Sequence, residues 1–125
     1  MMGTTTPCEG RLVALLAAAA RGPERDGLFA LWLVLRAAEG LLPPAPVSQR
    51  NHRRRLQALE RRLATLALPA PLGRALAAAR VHLEPATPEA AALVLSQLVA
   101  PAREVLGTAA GEAVAVAAQS ARVHL

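Results

Sequence analysis

Long stretches rich in Ala and Leu alternate along this chain with short clusters of Pro, Gly and charged residues. The clusters are RGPERDG at 21–27, LLPPAPVS at 41–48, LPAPLG at 68–73 and LEPATPE at 83–89, each rich in the residue types that interrupt regular structure. Between them β-branched residues are few and good helix formers dominate, so the pattern favours helix and offers no convincing strand. It predicts an all-α fold of about six helices, paired as three helical hairpins near 7–41, 48–84 and 87–125. These form a single domain over 7–125 behind a flexible N-terminus of residues 1–6. Thr6-Pro7 and Thr87-Pro88 each set a capping hydroxyl ahead of a proline suited to a first helical turn, and Ser48 is placed to cap the third helix. The last hairpin is ambiguous: its two helices part at Pro101 or just after it, or Pro101 kinks one helix running from 89 to 122.

The hairpin lengths, roughly 35–40 residues, invite comparison with HEAT- and TPR-type repeats, although the aromatic and Gly positions of the TPR pattern are absent. Stacked hairpins and an irregular bundle are both compatible with the pattern. The pentapeptide ARVHL occurs at 79–83 and again at 121–125. At that offset Leu56 aligns with Leu98 and Arg61 with Arg103, but little else does, so coincidence in a narrow alphabet and a decayed duplication both stay open. Each copy falls at an expected helix C-terminus, where Arg and His complement the negative end of the dipole. The pentapeptide reads as a helix stop.

Three of the helices differ in kind. In the second, LFALWLVL (28–35) is apolar on every side, as suits a central helix with neighbours all round. Its Phe29 and Trp32 are the chain's only Phe and Trp and are expected in the core; a Trp32 that reached the surface would instead be an interface anchor. In the third, His52, Leu56, Leu59, Leu63 and Leu66 recur at alternating four and three residues and form one apolar seam. Arg50, Arg54 and Arg61 fall on the opposite face and Arg55 and Arg62 flank the seam on one side, with Arg53 the sixth arginine of the segment. Glu60 is the one acid there, and its i±3 and i±4 neighbours are Leu56, Gln57, Leu63 and Ala64, so none of these arginines has a partner within its own helix. The last helix, VLGTAAGEAVAVAAQSA (105–121), is built of small residues. Gly107, Gly111 and Ala115 follow at four-residue steps, a ridge that would let another helix approach closely.

Composition sharpens the picture in one respect. Of 125 residues 54% are hydrophobic and 18% charged, against about 45–50% (Gly included) and about 25% in ordinary domains. Even allowing that much of the excess is Ala, a small domain cannot bury everything, so apolar surface is expected to remain for a partner. The net charge of +5 tolerates an anionic partner without specifying one. Lys, Ile and Tyr are absent, as in the product of a GC-rich gene, so the arginines say nothing about guanidinium geometry having been preferred. The run LVALLAAAA (12–20) is too short to span a bilayer and resembles a signal-peptide core, but Pro7 and Glu9 precede it.

Candidate chemistry is thin. Cys8 stands alone, which rules out an intramolecular disulfide, suits a reducing compartment and gives no activated nucleophile. Metal-ligand candidates are limited to Cys8, His52, His82 and His124, without any ligand-like spacing. Asp26 is the sole aspartate, the glutamates are scattered and no Gly-rich phosphate loop occurs. The arginine face therefore carries the functional question. It is a solvated surface, a dock for an acidic protein or for acids elsewhere in the chain, or a nucleic-acid backbone contact; RNHRRR (50–55) also fits a nuclear-import patch. No aromatics interleave for base stacking and no helix-turn-helix partner is recognisable. The expectation is a non-catalytic, intracellular interaction module without a cofactor, an adaptor or subunit that binds another protein or itself. The alternative is an accessory nucleic-acid binder using residues 48–68.

Overall fold

The computed structural model describes residues 7–19, 22–43 and 46–125, with side chains at all of these except 7–10 and 23. Expectations about residues 1–6, Thr6 as a cap among them, lie outside the described residues, as does the Cys8 side chain. The chain forms α1 (Pro7–Ala18), α2 (Pro23–Glu39), α3 (Gln49–Ala64), α4 (Ala70–His82), α5 (Pro88–Leu106) and α6 (Thr108–Arg122). The fold is all-α, with no strand among the described residues.

Local chemistry places the boundaries. Ser48 Oγ accepts from the Asn51 amide at 3.2 Å and Thr87 Oγ1 from the Ala90 amide at 3.1 Å, so each hydroxyl satisfies a donor that the first turn leaves free. Pro88 opens α5, where its missing N–H costs nothing. Pro101 lies inside α5 without ending it, and the break comes six residues later at Gly107. There φ is 102° and ψ 171°, a conformation that essentially only Gly adopts. A proline removes one helical hydrogen bond, whereas this glycine turns the backbone out of the helix altogether. Both ARVHL segments do end helices. Both bury the alanine and expose the valine, but Leu83 is buried while Leu125 is exposed, so the copies part at their last residue.

One hydrophobic cluster joins residues of all six helices, from Leu12 of α1 through Leu31 and Leu35 of α2 to Val114 of α6. Helix α2 touches each of the other five, as its all-round apolar character requires. Contacts of α6 with α1 and of α5 with α2 bring the ends of the chain together. An open stack of hairpins would hold those segments apart, so the packing is that of an irregular bundle. The most extensive contact is α5 with α6; α3 meets only α2 and α4 among the described residues. No helix among the described residues is long and apolar enough to cross a membrane.

The apolar excess is mostly hidden. Exposed large hydrophobic side chains are Val13, Val81, Leu93, Val123 and Leu125 among the described residues. What composition suggests as a greasy exterior is largely alanine.

Candidate functional site

Helices α2 and α3 run antiparallel. The Arg55 guanidinium lies against Gly40 at the end of α2, and Arg62 lies 5.9 Å from the Phe29 ring near its start. The connection between them is closed by the Val47 amide donating to the Gly40 carbonyl at 2.8 Å. Gly40 has ordinary helical dihedrals, φ −64°, and a β-carbon there would sit 2.7 Å from Arg55 Nη1, the far end of a side chain that can swing aside.

The outer side of this pair is a groove of about 350 Å³ lined by Trp32, Leu33, Arg36 and Ala37 of α2 and by Arg55, Ala58, Leu59 and Arg62 of α3. Its floor is apolar, its rim carries three guanidinium groups, and no carboxylate lines it. Phe29 and Trp32, expected inside, are only half-buried and face this side, stacked with centroids 5.9 Å apart. Tertiary packing overrides their hydrophobicity because the centre of α2 is filled by the aliphatic Leu31, Val34 and Leu35. Arg36 lies over the Trp32 ring at 5.0 Å, a cation–π contact that covers one indole face. The indole Nε1–H is enclosed, with no acceptor among the described residues.

The six arginines do not act as one surface. Arg55 and Arg62 border the α2 groove, whereas Arg53 lines a cavity of about 310 Å³ on the α4 side with Gln49, His52, Leu56, Gln57, Arg80 and Glu84. Arg50, Arg54 and Arg61 are exposed, and neither Arg55 nor Arg62 has an ion pair with a described residue. Glu60 finds its partner across the helix pair, at 2.6 Å from Arg80, which also reaches Glu84 at 3.5 Å. His52 is 1% exposed and donates from Nε2 to the Leu83 carbonyl at 2.6 Å. That bond ties α3 to the end of α4. His52 Nδ1 and Arg80 Nε are buried and unpaired within the chain, and both residues line the same cavity, which is polar and roomy enough for water.

The small-residue helix is divided as well. Gly111 is buried against α5, where a β-carbon would stand 2.7 Å from Arg103 Cβ and 3.1 Å from its Cα. Ala115 is half-buried. Gly107 is not part of that ridge but the turn between the helices, with open space where its side chain would be. Val81 and Leu93 border a surface depression between α4 and α5, and Val81 also edges an apolar groove between α3 and α4.

No group of three or more His, Cys, Asp or Glu side chains among the described residues is arranged to hold a metal ion. His82 Nδ1 instead donates to Gln97 Oε1 at 3.1 Å, and Arg122 of the second ARVHL donates to Ser96 Oγ at 3.0 Å. Sequence reasoning overlooked Arg36, Ala58 and Gly40. Arg36 was legible in principle, four residues from Trp32 on the same helical face; Ala58 and Gly40 matter only because α2 lies beside α3. No protein-family model matches the chain, and no curated protein and no solved structure matches it.

Proposed function

We propose that the protein is a non-catalytic interaction module that holds another protein across the outer side of α2 and α3. The groove floored by Trp32, Leu33, Ala58 and Leu59 and rimmed by Arg36, Arg55 and Arg62 carries this reading. A half-buried Trp beside Arg pairs two of the residue types enriched at interface hot spots. Helix α3 is also free to present such a surface, since it packs on two neighbours only. The nucleic-acid alternative draws on the same arginines, but they point to different sides of α3 and the Trp32 face is already occupied by Arg36.

The test is site-specific photocrosslinking in a native extract. A photoreactive residue at Asn51, exposed and one turn ahead of Arg55 on α3, should capture a discrete protein; one at the exposed Arg74 of α4 should not. Capture of nucleic acid from Asn51, or equal capture from both positions, would overturn the proposal.

A further inference from the structure

Resting on that interaction role, we infer that the occupant of the α2–α3 groove is an acidic amphipathic helix of a different protein. Charge supplies the first reason. Three arginines and no acid line the groove, and Arg55 and Arg62 are unpaired in ionic terms. A second copy of the chain brings the wrong sign: at +5 each, two copies repel, and a two-fold contact on this face would set arginines against arginines.

Shape supplies the second reason. A groove between two antiparallel helices is the seat a third helix takes by ridge-into-groove packing. Arg55 and Arg62 are seven residues apart on α3, two turns or about 10 Å along its axis. Between them the exposed Ala58 leaves a notch beside Trp32. A helix lying along α3 therefore meets both arginines with carboxylates at i and i+7 and fills the notch with large apolar side chains at i+3 and i+4. A nucleic-acid strand would match the charge but leave the notch and the apolar floor unused.

Four probes test this against the full chain: a labelled helical peptide with that spacing, its Glu→Gln form, a form with the apolar positions changed to Ser, and a single-stranded oligonucleotide. Binding is read by peptide anisotropy and by the emission of Trp32, the chain's only tryptophan. The first peptide should bind about tenfold more tightly than either altered peptide and weaken about tenfold with R55Q/R62Q. Ala58→Arg is the sharpest arm. It adds a positive charge yet fills the notch, so peptide binding should be lost while circular dichroism stays unchanged. If the Gln peptide binds equally, the acidic partner is wrong although the photocrosslinking result stands on its own. If the oligonucleotide displaces the peptide and Ala58→Arg strengthens binding, the partner is a polyanion and the inference fails. If no peptide binds or shifts Trp32 emission, it fails outright.

Discussion

Helix α3 and the α5–α6 pair bury their inner faces by opposite means. Helix α6 buries Ala110, Gly111, Ala113, Val114, Ala117, Ala118 and Ala121, none larger than valine. Helix α3 buries only His52, Leu56 and Leu59. Each small residue of α6 removes little apolar area from water. What it gives up in area it recovers in closeness, because backbones that meet at Gly111 and Arg103 gather many dispersion contacts. Helix α3 is pinned at a few points: two buried leucines, the partly buried Leu63, a histidine bonded to the end of α4 and the Glu60–Arg80 ion pair. A helix held that way keeps most of its circumference for solvent or a partner. The face proposed for docking thus lies on a helix with few buried side chains of its own.

The largest effect expected is from Leu98→Ala on α5, whose side chain is 1% exposed. Its loss should cost about 2–5 kcal/mol in urea unfolding, with the equivalent Leu56→Ala on α3 nearer the lower end. A cost below about 1 kcal/mol at Leu98 would deny α5 its place in the core. Next comes Gly111→Ala. Alanine raises helix propensity by about 1 kcal/mol, but the new methyl would press on Arg103 Cβ and Cα. Because one of those atoms is backbone, overpacking should win and lower stability by about 1–3 kcal/mol. A higher melting temperature would show the α5–α6 approach to be looser than described.

Cap deletions sharpen the comparison at smaller scale. Ser48→Ala and Thr87→Ala each remove one capping acceptor, worth about 1 kcal/mol. Native-state hydrogen exchange should separate them, with Ser48→Ala speeding exchange mainly within α3 and Thr87→Ala lowering the slowest amides of the core. Uniform acceleration by both would mean that α3 does not open on its own. Smallest of all in stability is the combined change of Arg54, Arg55, Arg61 and Arg62 to Gln, all exposed, expected within about 0.5 kcal/mol of the parent. The same variant discriminates function: loss of salt-sensitive retention on a polyanion column is what the nucleic-acid alternative requires, and unchanged retention would end it.

Much of the architecture was legible in one dimension. Breaker clusters and capping residues act over a single turn, so Ser48 and Thr87 mark helix starts in sequence as they do in the fold. The all-round apolar run of α2 likewise announced a central helix. The candidate site was half legible: helical spacing set Arg55 and Arg62 on one flank of the α3 seam, apart from Arg50, Arg54 and Arg61, whereas Trp32 read as core. Their grouping depends on which side of α3 meets α2, and helical periodicity alone does not set that.

Sequence by itself determined an all-α chain of about six helices, the starts of α3 and α5 and the central place of α2, because propensity, capping and hydrophobic periodicity are local properties of the chain. It did not determine that α1 and α6 close the bundle, that Gly107 rather than Pro101 makes the last turn, or that Arg36, Ala58 and Arg62 share a groove with Trp32. Those depend on side chains far apart in the chain competing for the same volume. Only packing all six helices together decides which of them fill the centre and which are left at its edge.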